Sequence, residues 1–362
     1  MQIGLKKKSN RHVFIVASAL HLIYSFSIID LFKVKDKSII LWFGSSPLDF
    51  ALPNDFRNQG IPIIDCSHLK IGYLSGYIKH YKFAKEFFSQ YISSIDFLYS
   101  HYDTDFGFEI IRRQFHVPWR KIALIEDGIG NYFPHSMPKL YRQIPKSIIS
   151  KLLTGFSLNI SKYNVGGNKK FGVITTMDAD RVYVHSKSIA EIYEIKQYVK
   201  KLLDGYRIEE PMLKDANVLI FLPAVLKYGR LSPREITTYI RKLLTHKRIN
   251  QYKNIVIKPH PKESAKKIES ILQKAIPDKN IEVFKEKYPI EIYINSIHPR
   301  VIMGNVSTSI MNYYILKDQN SKAFKTEFII TDGVGGGLYV KEQIKFLKSL
   351  IKDDLEIIEI KL

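Results

Sequence analysis

The chain has 362 residues, 45% hydrophobic and 12% aromatic, so it can form two domains and is too apolar to be intrinsically disordered. Its 55 Lys and Arg against 35 Asp and Glu give a net charge of +20, which suits nucleic acid, an anionic membrane surface, a polyanionic substrate, or merely a solvated basic surface. Its single cysteine, Cys66, excludes an intramolecular disulfide framework and a cysteine-rich metal site.

The first half of the chain alternates short apolar segments with amphipathic ones. The predicted strands are Val13–Ala17, Ser38–Phe43, Ile61–Ile64, Phe97–Tyr99, Ile122–Ile125 and Arg181–Val184, and the predicted helices are Gly72–Tyr91 and Lys187–Leu203. Such alternation is typical of a mainly parallel sheet covered by helices.

A second series of the same kind follows. It predicts strands at Val218–Leu222, Ile255–Ile257, Ile281–Phe284, Val301–Met303 and Phe328–Ile330, and helices at Pro233–Thr245, Ser264–Lys274 and Val340–Ile351. The two series predict an α/β protein of two Rossmann-like domains with parallel sheets facing a central cleft. The expected bounds are 1–203 for the first domain, 204–215 for a linker and 216–362 for the second.

An acidic motif, Glu126-Asp127-Gly128, follows the predicted strand Ile122–Ile125. Ligands of α/β sheets bind beyond the carboxyl ends of strands, where a carboxylate can take a proton from an attacking hydroxyl. Gly128 would let a ligand approach the backbone closely. The alternative is an ordinary turn, because Asp-Gly is a common turn pair. Only one of the two carboxylates is expected to point into a cleft, and the choice between them stays open.

A second motif, Lys258-Pro259-His260-Pro261, follows the predicted strand Ile255–Ile257. The two prolines restrict the backbone and present the imidazole rigidly. Histidine can donate a proton near neutral pH, and Lys258 would attract phosphate. A lone histidine is usually a structural hydrogen-bonding group, but this position between prolines, after an apolar strand, favours a functional role.

Hydroxyl side chains open a third candidate site at Ser307, Thr308 and Ser309, before the helical run Ile310–Leu316. Hydroxyls and amides at a helix N-terminus bind phosphate, although the same residue types also serve as plain N-caps. Glu291 heads another helical segment, where it would either accept hydrogen bonds from ribose hydroxyls or simply favour the helix N-terminus.

In this order and spacing, the three motifs resemble those of the bacterial sialyltransferases, above all the capsular polysialyltransferase and lipooligosaccharide sialyltransferase families. The strand Val13–Ala17, with Ser18 and His21 after it, is similar to the first strand of those families and its Thr-Pro-Leu-Gln-type loop, imperfectly kept. The resemblance implies the two-domain GT-B fold. It also implies inverting transfer of sialic acid from CMP-sialic acid to a hydroxyl of a capsule or lipooligosaccharide glycan, with neither metal nor cofactor.

The resemblance also assigns roles to individual residues. It implies that Glu126 is the general base and that Asp127 orients its loop, although the lipooligosaccharide branch has its base elsewhere. It implies that His260 protonates or hydrogen-bonds the departing CMP phosphate and that Glu291 contacts the ribose. The expected binding residues are Gly128, Lys258, Pro261, Glu291, Ser307, Thr308, Ser309, Ser18 and His21.

The expected partners are a nucleotide-sugar donor, bound by the second domain, and a glycan acceptor on the side of the first, which the basic charge allows to be polyanionic. No nucleic acid is expected, because no arginine-aromatic stripe stands out. The expected location is the bacterial cytoplasm, with peripheral contact with the anionic inner membrane left open. Two alternatives remain: another GT-B capsule or teichoic-acid transferase, for Kdo or polyol phosphate, and a non-catalytic module that binds anionic glycans.

Overall fold

The chain forms two compact units, residues 1–202 and 203–362. The computed structural model describes residues 12–44, 48, 52–69, 74–101, 106–118, 121–125, 144–145, 148–149, 151–152, 155, 189–206, 208–224, 231–275, 280–286, 288–317, 326–332, 340–351 and 355–359. The segment predicted as a linker, 204–215, belongs to the second unit. It contains a short helix, Pro211–Lys214, and Ile208 accepts a hydrogen bond from Ser296 of the same unit.

The described part of the first unit contains a five-stranded parallel sheet. Its strands are β1 (His12–Val16), β2 (Ser38–Trp42), β3 (Ile63–Asp65), β4 (Phe97–Ser100) and β5 (Ile122–Leu124). They lie in the order β3-β2-β1-β4-β5. Every residue of β1 and β2 is buried, as expected for strands of a parallel sheet that is covered on both faces. The chain order reverses between β1 and β4, which is therefore the topological switch point of this sheet.

Helices accompany this sheet along the chain. They are α1 (Ala19–Leu31), α2 (Asn54–Arg57), α3 (Leu74–Tyr91), α4 (Phe106–Gln114) and α5 (Ile189–Asp204), the last of which spans the boundary between the units. Helix α1 begins at Ser18, whose Oγ accepts a hydrogen bond from the N–H of His21 at 3.3 Å. Phe88 of α3 and Phe108 of α4 share one core cluster with the β1 side chain Ile15, which anchors the carboxyl end of that strand.

The second unit contains six parallel strands in its described residues. They are β6 (Val218–Leu222), β7 (Ile255–Pro259), β8 (Ile281–Val283), β9 (Val301–Gly304), β10 (Glu327–Asp332) and β11 (Leu355–Glu359), in the order β11-β10-β9-β6-β7-β8. The helices are α6 (Pro211–Lys214), α7 (Pro233–Leu244), α8 (Ala265–Ala275), α9 (Thr308–Leu316) and α10 (Val340–Ile351), with a 3₁₀ helix at Ile290–Tyr293. This strand order is the Rossmann order, and its switch point lies between β6 and β9.

Helix α7 shows how local sequence positions the second sheet. Ser232 and Glu235 form a capping box at its start, with Pro233 at the first helical position. Its buried face, which includes Ile236, Tyr239 and Ile240, joins the core cluster of β6 and β7. This packing places the carboxyl ends of those strands on a rigid base.

The predicted fold class is confirmed, because both units are α/β with parallel sheets. Helices α1, α2, α4 and α6 and strand β11 were absent from the prediction. The predicted strand Arg181–Val184 lies outside the described residues. Among the residues that the structure describes, no helix is long and apolar enough to span a membrane.

Candidate active site

Two of the predicted motifs lie at the same edge of the second sheet. His260 directly follows β7, and Ser307, Thr308 and Ser309 follow β9 and begin α9. Strand β6 lies between β7 and β9, so the two motifs start roughly 10 Å apart, two strand spacings. Both therefore lie beside the switch point, where Rossmann sheets bind ligands.

The imidazole of His260 is half-buried and held in one tautomer. The backbone N–H of Lys262 donates to its Nδ1 at 3.1 Å, and the N–H of Glu263 donates to the carbonyl of His260 at 2.8 Å, which forms a tight turn. Because Nδ1 accepts a hydrogen bond, the neutral ring carries its hydrogen on Nε2. Burial, and after it the charge of Lys262, lowers the pKa of His260. At neutral pH this side chain is therefore a neutral N–H donor.

Lys258 directs its ammonium into the protein. The side chain is buried, and Nζ donates to the carbonyl of Glu286 at 3.1 Å and lies 4.9 Å from the centroid of the Phe284 ring. Burial lowers the pKa of Lys258 to about 8, although the charges of Glu291 and Glu286 act in the opposite direction. These contacts join β7, just before His260, to the segment that follows β8.

Glu291 is also buried and connects two elements of the site. It lies in the 3₁₀ helix, and its Oε1 accepts a hydrogen bond from Nδ2 of Asn312 in α9 at 2.9 Å. The Oδ1 atom of Asn312 is buried without a hydrogen-bond partner among the described residues. The contact with Asn312 fixes α9, whose first turn holds the Ser-Thr-Ser run, while the ribose contact of Glu291 stays a prediction.

The start of α9 has the geometry of an anion site and of a helix cap at once. Ser307 is the N-cap residue in extended conformation, and its Oγ accepts a hydrogen bond from the N–H of Ile310 at 3.3 Å. The N–H groups of the first helical turn point in the N-terminal direction, where the helix dipole favours an anion. Gly304 precedes this turn, and a Cβ there would lie 2.5 Å from the carbonyl oxygen of Phe221. Only glycine allows β9 and β6 to approach so closely here.

The structure adds a residue cluster that sequence reasoning missed, around Asn305. The Oδ1 atom of Asn305 accepts from the hydroxyl of Tyr239 at 2.8 Å and from that of Thr331 at 2.6 Å, and the two hydroxyls lie 2.8 Å apart. These contacts orient the Asn305 amide next to the switch point. In the sequence Tyr239 belongs to the apolar face of α7, and only the Gly-Asn dipeptide after an apolar strand could have indicated the cluster.

In the first unit the predicted residues lie at the carboxyl edge of the sheet or outside the described residues. Ser18 caps α1, and His21 lies in its first turn with its ring stacked on that of His101, the centroids 4.2 Å apart. His101, which directly follows β4, was missed. Glu126, Asp127 and Gly128 lie outside the described residues, and the roles predicted for them stay predictions.

Within the described ranges, no group of three or more His, Cys, Asp or Glu residues could hold a metal ion.

Comparison with known proteins supports the fold and the family. The model of a family described as alpha-2,8-polysialyltransferase matches residues 92–323, more than half of the chain. No curated protein matches the sequence. A Photobacterium 2,6-sialyltransferase solved with CMP and lactose is similar at 12% identity and a TM-score of 0.50, over 96% of this chain and 78% of that chain. A UDP-GlcNAc 2-epimerase from Methanocaldococcus jannaschii is similar at 11% identity and a TM-score of 0.52, over 95% and 93%.

At such identities the two solved structures show the fold alone, which is the α/β fold of GT-B glycosyltransferases. The family match covers the acidic, His-Pro and Ser-Thr-Ser motifs together. The chain belongs to the alpha-2,8-polysialyltransferase family and is a glycosyltransferase of the sialyltransferase type.

Proposed function

We propose that this sialyltransferase takes sialic acid from CMP-sialic acid and transfers it, with inversion and without metal or cofactor, to a hydroxyl of a bacterial surface glycan. The observation that carries the proposal is the pairing of His260 with the start of α9 at the switch point of a Rossmann sheet. A nucleotide monophosphate is the ligand class that suits this edge.

The proposed leaving group explains the kind of donors that are present. When the bond between the anomeric carbon and the phosphate oxygen breaks, CMP leaves with the electron pair and its phosphate gains negative charge. The Nε2–H of His260 and the first turn of α9 would both donate hydrogen bonds to that phosphate, which stabilises the transition state more than the ground state. Because the ring of His260 is neutral, we assign it hydrogen bonding rather than full proton transfer.

The supporting residues differ from those that would touch the nucleotide. Lys258 and Glu291 are buried, and their observed contacts are with Glu286 and Asn312. In the proposal they hold β7 and α9 in position, and a direct contact of Glu291 with the ribose stays a prediction. Pro261 is exposed beside His260 and stays a predicted binding residue.

The direct test measures nucleotide release from a panel of donors: CMP-sialic acid, CMP-Kdo and CDP-glycerol. Release from CMP-sialic acid alone, abolished in His260→Ala, is the expected result. Turnover of CMP-Kdo or CDP-glycerol in its place would retain the fold and refute the sialyl donor. Binding of an anionic glycan that is unchanged in His260→Ala, with no nucleotide release from any donor, would favour a binding module.

We further propose that the enzyme works in the bacterial cytoplasm and touches the anionic inner membrane peripherally. Ile144, Ile148 and Leu152 are large apolar side chains that are 44%, 54% and 80% exposed, as expected for residues that insert into a membrane surface. Lys151 is exposed beside them, and the chain carries a net charge of +20. Both features also suit a polyanionic acceptor at that surface.

Vesicle sedimentation tests the membrane contact. The wild type should sediment with vesicles that contain phosphatidylserine and not with neutral phosphatidylcholine vesicles. Ile148→Asp and Leu152→Asp should weaken this binding while nucleotide release is kept. Equal sedimentation of the variants and the wild type would refute a role for these apolar side chains.

A further inference from the structure

Two buried hydroxyl groups meet one amide oxygen at the carboxyl edge of the second sheet. Tyr239 lies in the middle of α7, and Thr331 is the last residue but one of β10. Both side chains are buried, and their hydroxyls lie 2.8 and 2.6 Å from Oδ1 of Asn305. Gly304 pairs with Ile330 across β9 and β10, so Asn305, directly after β9, lies beside Thr331. Three elements of the second unit therefore converge on Asn305.

The hydrogen bonds fix the direction of the Asn305 amide. Burial raises the pKa of Tyr239, so its hydroxyl keeps its hydrogen at neutral pH. An amide oxygen only accepts, and each of the two hydroxyls has one hydrogen to donate. The hydroxyls lie 2.8 Å apart and cannot both donate to each other, so at least one of them donates to Oδ1. The amide oxygen is thus held towards the core from α7 and β10.

The hydroxyl of Tyr239 adds nothing to the apolar packing of the core. Its ring belongs to the core cluster of β6 and β7, where a phenylalanine ring would fill the same space. A buried hydroxyl costs free energy unless it is hydrogen-bonded, and within the described residues its partners are Asn305 and Thr331. The contact therefore specifies the position of Asn305.

Asn305 leads directly into the start of α9. Strand β9 ends at Gly304, Ser307 is the N-cap residue and the helix begins at Thr308. Oγ of Ser307 accepts from the N–H of Ile310, so the first helical turn is tied to the segment that Asn305 opens. A change in the direction of Asn305 would move the N–H groups of this turn, where the proposed function has the phosphate.

We propose that Tyr239 and Thr331 are positioning residues of the phosphate site, which hold Asn305 so that residues 305–307 keep the conformation that binds the phosphate of CMP. This inference rests on the proposed function. Both hydroxyls act from the core, because their side chains are at most 2% exposed. The apparent affinity for a ligand falls with the fraction of molecules in the binding conformation. Loss of one of these hydroxyls should therefore weaken binding of the phosphate group.

A comparison of CMP with cytidine tests the proposal. Cytidine has the same base and ribose but no phosphate, so the Kd of cytidine divided by the Kd of CMP reports on the phosphate site alone. In Tyr239→Phe and in Thr331→Val this ratio, measured by calorimetric titration, should fall by about 2- to 10-fold, the effect of one hydrogen bond. Thr331→Ser keeps a hydroxyl and should keep the wild-type ratio.

Tyr313→Phe is the matched control. Tyr313 is as buried as Tyr239, but its hydroxyl donates to the carbonyl of Ile297 at 3.4 Å, before β9 and hence at the opposite edge of the sheet. The variant loses the same atom from the same unit. It should keep the wild-type ratio even where urea denaturation shows the same loss of stability as for Tyr239→Phe.

A double-mutant cycle tests whether Tyr239 acts through Asn305. Asn305→Ala should itself lower the ratio, and Tyr239→Phe added to it should lower the ratio no further. A further fall in the double variant would show that Tyr239 acts by another route and would overturn the proposal.

Three other results would also overturn it: an unchanged ratio in Tyr239→Phe and Thr331→Val, an equal fall in Tyr313→Phe, or a wild type that binds CMP no more tightly than cytidine. Should Tyr239→Phe fail to fold, Thr331→Val and Thr331→Ser give the same comparison. CMP-sialic acid, CMP-Kdo and CDP-glycerol all release CMP, so the ratio can be measured whichever donor is used. Failure of the sialyl donor is therefore distinguishable from failure of this proposal.

Discussion

The buried ammonium of Lys258 should make the stability of the protein depend on pH in a way that Lys258→Met removes. In the folded protein burial lowers the pKa of Lys258 from 10.5 to about 8. Between these values the unfolded chain keeps the proton that the folded chain has lost, so the free energy of unfolding rises with pH. This contribution to the free energy of unfolding is complete above pH 10.5 and is lost as the pH falls through 8.

The size of the effect follows from the two pKa values. The difference between a pKa of 10.5 and one of about 8 corresponds to about 3 kcal/mol, most of which falls between pH 7 and pH 10. The Lys258 side chain is only 6% exposed, so solvent screening reduces this figure little. Methionine fills a similar volume without a charge. We therefore expect the free energy of unfolding of the wild type, relative to that of Lys258→Met, to rise by about 2–3 kcal/mol between pH 7 and pH 10.

Urea denaturation followed by circular dichroism at pH 7 and pH 10 measures the difference. The comparison of two proteins cancels the titration of other lysines and tyrosines, which both proteins share. Lys253→Met is the control, because Lys253 is exposed just before β7. Its free energy of unfolding should change between pH 7 and pH 10 as that of the wild type does. If the free energies of unfolding of the wild type and Lys258→Met change equally between pH 7 and pH 10, burial does not lower the pKa of Lys258, and the reasoning is refuted.

Three further predictions concern the edge of the second sheet. His260→Ala should lower transfer by about 10²- to 10³-fold, the usual effect of removing one hydrogen-bond donor to a developing negative charge. ¹⁵N NMR of the wild type should show hydrogen on Nε2 of His260 and titration of the ring below 6.5, the ordinary pKa of histidine. Gly304→Ala should cost about 1–3 kcal/mol in urea denaturation, because its Cβ would meet the Phe221 carbonyl, and a variant of wild-type stability would contradict this clash. Ser307→Asp should keep the α9 cap but repel CMP, whereas Ser307→Ala should lower the free energy of unfolding by about 0.5–2 kcal/mol through loss of the cap. If Ser307→Asp binds CMP as tightly as the wild type, the phosphate binds elsewhere.

The sequence was sufficient for the parallel sheets and for the sheet edge at which the His-Pro and Ser-Thr-Ser motifs lie. Strands such as Val218–Leu222 are continuous apolar runs because a parallel sheet is covered on both faces, and that pattern is visible without a structure. The polar motifs directly after such runs must lie at the carboxyl edge. His260 and Ser307 could therefore be assigned to one edge before their contacts were known.

What the sequence could not show depends on contacts between distant residues. Helix α1 was missed because residues 21–29 are all buried, so no polar face marks a helical period. The sequence around His101 gave no signal, because the ring on which it stacks is that of His21, eighty positions away. The direction of the Lys258 ammonium depends on Glu286 and Phe284, which follow a different strand.

The second sheet edge uses neutral donors although the chain has a surplus of cations. Lys258 is the cation nearest to His260 within β7, and it is turned towards the Glu286 carbonyl. A buried ammonium of this kind costs stability, so its hydrogen bond with Glu286 positions β7 and adds no net folding energy. Neutral N–H donors bind a phosphate less strongly than an ammonium would, and their hydrogen bonds strengthen as charge develops on a departing phosphate. In the proposed reaction that difference favours release of CMP after each transfer, because tight binding of the product would slow turnover.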